Sequence, residues 1–116
     1  MMAKLINQTQ NCELLPQLML ADSFWSRLVG LLGKSHLNIE EGMFFDHCNS
    51  IHTFGMKFSL DLIFLDKSMK VKALKRNVVP GRMTFPVFGA RSVVEIASGS
   101  LETMQIKIGD QLHVGR

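Results

Sequence analysis

Tyrosine is missing from this chain altogether, tryptophan occurs once, proline three times and cysteine twice in 116 residues. Two cysteines, Cys12 and Cys48, permit one disulfide but not the framework of several bridges on which small secreted scaffolds rest. Free thiols in a reducing compartment are therefore expected. Long apolar runs are absent too. Leu14 to Leu20 is interrupted by Pro16, and no stretch reaches the roughly 20 residues that a bilayer span needs. Met1 to Gln8 lacks the apolar core of a signal peptide. A cytoplasmic location without membrane insertion follows as an expectation. Excess charge of one sign is also modest, with thirteen Lys and Arg against ten Asp and Glu. A dedicated nucleic-acid binder carries a denser basic patch, so no specific nucleic-acid partner is expected.

What is present is apolar mass. Hydrophobic residues make up 47% of the chain, with eight Phe and eight Met. A chain of this size can bury a core without metal or disulfide staples, and fits a single domain over residues 1–116. Soft, polarizable side chains are expected to fill that core.

The pattern along the chain is mostly of short strands. Leu5 to Asn7 and Cys12 to Leu20 read as strands around a polar turn, with Pro16 confined to an edge or a bulge. Leu14, Leu15, Leu18 and Met19 could equally share a helix face. Asp22-Ser23 is a good helix start, and Phe24, Leu28 and Leu31 follow at helical spacing. One main helix is expected there, at about 23–32, with Gly33 as its stop. Gly42 to Phe45 is a short strand. Leu60 to Leu65 is apolar on both faces and belongs inside a sheet. It turns at Asp66-Lys67-Ser68-Met69 into an arm from Lys70 to Val79 with a cationic face. Pro80-Gly81, Pro86 and Gly89 mark loop. Ser92 to Ala97 is a strand, a short helical turn follows at about 101–106, and Gly109-Asp110 turns into a last strand. The expected class is α+β, dominated by β, with a small, partly closed barrel-like sheet.

Several segments, read together, resemble a known family across residues 12–114. They are Arg27-Leu28-Val29-Gly30-Leu31-Leu32, Gly42-Met43-Phe44-Phe45 and Cys48-Asn49-Ser50-Ile51-His52-Thr53-Phe54-Gly55-Met56-Lys57-Phe58. Leu60 to Asp66, Val94-Glu95-Ile96-Ala97-Ser98-Gly99 and Gly109-Asp110 complete the set. The family is the bacterial and archaeal DUF192, an uncharacterised ancient conserved region, and the central stretch is similar to its Cys-x-Ser-Ile-His-Thr branch. Where the family usually has glycine in the hairpin turn, this chain has Met69, which takes a positive φ only at a cost. The resemblance implies a small β-rich domain and carries no activity.

The residues that could carry chemistry gather in Asp46, His47, Cys48, His52 and Asp61. The spacing matches no standard zinc pattern. In an extended segment His47 and Cys48 point to opposite faces. No metal or other cofactor is expected; Cys48 and His52 are the residues a metal would use. The same two residues could form an activated thiol and its base, with Asp61 or Glu95 orienting His52. The alternative is that Cys48 is a small buried hydrophobe and His52 a hydrogen-bonded structural residue. Asp61 and Glu95, each inside an apolar strand, must be paired or bonded to backbone N–H groups. Arg27 is one possible partner for Asp61. Together these carboxylates either brace the fold or floor a pocket under the Phe54 to Phe58 segment, which is either core or an exposed lip for a ligand or partner. The residues expected to bind a ligand are Arg27, His52, Thr53, Met56, Asp61 and Glu95.

The function is thus not written in the sequence. A non-catalytic domain that binds a small ligand or a protein partner is the leading reading. A structural or assembly protein, self-associating through a sheet edge, stands beside it. A small enzyme using Cys48 and His52 is the third.

Overall fold

The computed structural model describes residues 2–21 and 36–116. The expected helix at 23–32, and Arg27 with it, lie outside the described residues. Among the described residues there are seven strands: β1 (Met2–Asn7), β2 (Cys12–Ala21), β3 (Glu41–Asp46), β4 (Leu60–Leu65), β5 (Val71–Val78), β6 (Ser92–Ala97) and β7 (Leu112–Gly115). A single helical turn, α1 (Ser100–Thr103), joins β6 to the last loop. The domain is β-dominated, as the short alternating segments imply.

The strands form one sheet in the order β5-β4-β6-β3-β2-β1-β7. Among the described residues all ladders are antiparallel except β2 with β3, which is parallel. The expected partly closed barrel is not supported, because β5 and β7 are the two free edges of an open sheet. These edges meet only at one corner. There Lys70 and Gln111 form an isolated bridge, Leu112 N–H donates to the Met69 carbonyl (2.9 Å) and Val71 N–H to that of Asp110 (2.9 Å). Beyond that corner no ladder continues.

Local sequence explains the irregularities. Pro16 lies where the β1–β2 register slips, between the Leu5–Leu15 and Ala3–Leu18 pairs, and just before β3 pairing begins at Gln17. Its missing N–H therefore breaks no regular rung. The β4–β5 turn is built by Asp66, whose Oδ1 accepts the N–H groups of Ser68 (2.8 Å) and Lys70 (3.0 Å). Met69 adopts φ +66 there, the left-handed position that glycine usually fills. Lys72, Lys75 and Arg76 line the exposed edge of β5, where charge discourages pairing with another chain.

Two apolar clusters sit on the two faces of the sheet. The larger contains Leu5, Leu15, Leu18, Ile63, Val94, Ile96 and Leu112; the smaller contains Met43, Phe45, Cys48, Leu62, Phe64 and Val93. β4 is buried at all six positions because it contributes to both. Each fully buried Leu or Ile contributes about 1.5–3 kcal/mol by leaving water. Gly42 is required where β3 crosses this packing: a Cβ there would lie 2.6 Å from Leu15 Cδ1 and 3.2 Å from the Glu95 carbonyl oxygen.

Candidate functional site

The ionisable residues buried in the apolar strands do not converge. Asp61 pairs laterally with Ile96 and turns toward the larger cluster, whereas Glu95 pairs with Met43 and Leu62 and turns toward the smaller one. The strand alternation that separates them is fixed by the ladder. Asp61 is 1% exposed. Its Oδ1 accepts Asn77 N–H (2.8 Å) and its Oδ2 accepts the N–H groups of Gly99 (3.1 Å) and Leu101 (3.0 Å). It is a brace that ties α1 and the end of β5 to the middle of the sheet.

Thr53 is also an internal clamp. Its hydroxyl donates to the Val79 carbonyl (2.7 Å) and accepts Arg82 N–H (2.9 Å), holding the 79–84 loop against the 51–56 loop. His52 is exposed and stacks on Phe54 with ring centroids 5.6 Å apart. Cys48 is buried in the smaller cluster, and its Sγ donates to the Ser50 carbonyl (3.1 Å). The Phe54 to Phe58 segment divides: Phe54 faces solvent, while Met56 and Phe58 pack on the smaller cluster. Among the described residues no group of three or more His, Cys, Asp or Glu is placed to hold a metal ion.

A second polar network sits at the β1–β2 turn. Asp110, 4% exposed, accepts through Oδ2 from Asn7 Nδ2 (2.9 Å), Gln10 Nε2 (2.8 Å) and Lys107 N–H (3.0 Å). Burial pushes its carboxyl up, but the hydrogen bonds from Asn7, Gln10 and Lys107, with the Lys107 charge, outweigh this and leave it below the ordinary carboxylate range. The sequence shows Gly109-Asp110 as a turn; the long-range bonds to Asn7 and Gln10 become visible only with the fold.

A concavity lies elsewhere, at the seam where the two sheet edges separate. A recess of about 880 Å³ opens between β7 and the β4–β5 turn. Leu20, Phe44, Met69, Leu112 and Val114 form its apolar floor, all in contact with the larger cluster. Polar side chains ring it, among them Gln8, Asp46, His47, Gln111 and His113. Gln111 is fixed by donating to the Ser68 carbonyl at 2.6 Å.

Two rim residues, Asp46 and His47, are ordered by Arg91, which does not itself line the recess. Arg91 Nη2 donates to His47 Nε2 (2.8 Å), and Asp46 Oδ2 lies 3.5 Å from His47 Nδ1. A guanidinium only donates, so Nε2 is the accepting nitrogen and the ring proton sits on Nδ1, toward Asp46. The chain reaches this arrangement by turning sharply at the end of β3, with His47 at φ +52 and its N–H bonded to Asp46 Oδ1 (2.9 Å). All three side chains are about half exposed or more, so the array orients groups rather than stabilising the fold strongly. Asp46 and His47 are visible in the sequence as part of the chemistry-bearing cluster. The other lining residues come from separated strands and carry no local signal.

Comparison with known proteins supplies a family and a fold. The family model DUF192, described as an uncharacterised ancient conserved region, matches residues 5–114. A UPF0127 protein of Thermococcus sibiricus is 33% identical over 112 residues, covering 93% of this chain and 72% of its own length. A UPF0127 protein of Pyrococcus horikoshii is 30% identical over 115 residues, covering 93% of this chain and 96% of its own. Two crystal structures share the fold. One is of a protein of unknown function from Novosphingobium aromaticivorans, with TM-score 0.79 and 22% identity over 97% of this chain and 83% of that one. The other is of a Sinorhizobium meliloti protein named as a candidate transcription regulator, with TM-score 0.77 and 21% identity over 97% and 92%.

Proposed function

Because the chain belongs to the DUF192 family, whose name assigns no activity, we propose its function from its own geometry: it is a non-catalytic module that holds a small amphipathic ligand in the seam recess. The observation that carries this reading is the recess itself. Its volume of about 880 Å³ falls in the range of small-molecule sites, roughly 300–1,000 Å³. Its floor is apolar and its rim supplies a few oriented polar groups, the combination that binds by burial and selects by hydrogen bonding.

In this reading the apolar part of the ligand covers Leu20, Phe44, Met69 and Val114. Its polar end meets the rim, where Asp46 offers acceptor oxygens and Gln8, Gln111 and His113 stand beside it. Preorganised groups lose little entropy on binding. Of the residues expected from the sequence, Thr53 and Asp61 brace the loops and sheet and do not line the recess.

An enzyme built on Cys48 and His52 receives less support, since the Cys48 thiol is buried and engaged with the Ser50 carbonyl while His52 stands exposed on Phe54. A likeness of 21% to a protein named as a regulator carries the fold and no nucleic-acid role.

The test is NMR titration of the protein with short- and medium-chain carboxylic acids and amides. Shifts gathered at Phe44, Met69, His113 and Val114, abolished by Val114→Trp, are expected. Saturable binding whose shifts fall on other residues would remove the proposal.

A further inference from the structure

Phe85 and Phe88 are 90% and 94% exposed, and Met83 and Phe54 are 68% and 51% exposed. Apolar surface left this open on a folded domain marks a place of interaction. The side chains stand on an ordered tip. Thr53 N–H donates to the Arg82 carbonyl (2.8 Å), Thr84 N–H to that of Ile51 (2.8 Å) and Val87 N–H to that of Asn49 (2.9 Å), so the two loops run side by side. The Thr84 hydroxyl turns inward to Ile51. Alternation then directs Met83 and Phe85 outward, beside the bridged His52 and its stacked Phe54. Phe88 follows just beyond Pro86.

The charge along the loops of this tip is mainly positive, with Asp46 the acid paired to Arg91. From Lys67 to Val94 the chain holds seven Lys or Arg and no Asp or Glu, and from His47 to Leu60 it holds Lys57 and no acid. Lys72 lies against the Phe88 loop, since a Cβ on Gly89 would meet its Cε at 2.9 Å. Lys75 and Arg76 continue along the same exposed edge strand, and Arg82 adjoins Met83.

We propose that this tip docks on an anionic lipid bilayer, with Met83, Phe85 and Phe88 entering the boundary between headgroups and acyl chains and Lys72, Lys75, Arg76 and Arg82 meeting lipid phosphates. Two features select a bilayer over a protein partner. The exposed apolar side chains stand together on one loop tip rather than lining a groove, which suits a deformable interface better than a matching solid surface. The cations Lys72, Lys75, Arg76 and Arg82 beside the tip complement a negatively charged leaflet. No described helix is long and apolar enough to cross a membrane. The recess shares no residue with this tip, and the two proposals stand or fall separately.

The experiment is co-sedimentation of the full chain with phosphatidylcholine vesicles and with vesicles of phosphatidylcholine and phosphatidylglycerol in equal parts. Binding to the mixed vesicles only, falling as salt rises, is expected. Phe85→Ser/Phe88→Ser should weaken it about tenfold or more, and so should Lys72→Glu/Arg82→Glu. All four positions are exposed, and an unchanged melting temperature certifies the variants. Failure to bind the mixed vesicles overturns the proposal, as does binding that both double variants retain. Single-stranded oligonucleotide bound in place of vesicles through the same residues would overturn it, and so would self-association lost on Phe85→Ser/Phe88→Ser.

Discussion

Asp61 Oδ2 accepts the backbone N–H of Leu101 at 3.0 Å, across forty residues of sequence. Among the described residues the carboxylate of this apolar strand is met by three backbone donors at once, those of Asn77, Gly99 and Leu101. The same contact fixes where α1 begins, since Gly99 and Leu101 are its first donors. Glu95, on the next strand, faces the other side of the sheet and takes no part.

Asp61→Asn should lower stability by about 2–4 kcal/mol, since three charge-assisted bonds are weakened and an NH₂ group is turned toward backbone donors. Urea unfolding measures this directly. Amide exchange should quicken at Gly99 and Leu101 well before it does in β6. A loss below about 0.5 kcal/mol would show that the brace carries no net stability.

Asp110 makes stability depend on acid. Its folded-state pKa lies below the ordinary value, so its contribution is fully present above the unfolded pKa of about 3.9 and is lost as pH falls through the lower folded value. Wild type should be more stable than Asp110→Asn at neutral pH, and the gap between them should narrow on descending below about pH 4. Urea midpoints for the pair across that interval test the sign; a gap that widens in acid would contradict it.

Met69 at φ +66 sets backbone strain against packing. Replacement by glycine relieves about 1–2 kcal/mol of left-handed strain and removes a half-buried side chain worth a similar amount. Met69→Gly should therefore unfold within about 1 kcal/mol of wild type while weakening any ligand held on the recess floor. Thermal unfolding and the carboxylic-acid titration, run on one preparation, separate the two effects.

Much of the fold was legible locally. Alternation and turn chemistry place the strands at 42–45, 60–65, 70–79 and 92–97, because a strand with a buried face must repeat every second residue. Pro16 announces its bulge for the same covalent reason that keeps it from donating a rung. The site was legible only in part. Asp46 and His47 stand out as reactive residue types, but Leu20, Phe44, Met69, Gln111 and Val114 are ordinary residues whose importance lies in meeting at one seam. The expected pocket beneath the 52–58 segment required Asp61 and Glu95 to share a face, and sequence does not reveal the register between β4 and β6.

By itself, then, the order of residues determines which segments are strands, which positions turn, and that buried carboxylates must find donors, since each of these follows from interactions within a few residues or from the cost of burying charge. Strand order, the register that sends Asp61 and Glu95 to opposite faces, the gap between β5 and β7, and the gathering of Phe54, Met83, Phe85 and Phe88 at one tip were decided by tertiary structure. Those outcomes depend on pairings between residues far apart in the chain, where loop closure and the packing of both faces of the sheet select one arrangement among many that the local pattern permits.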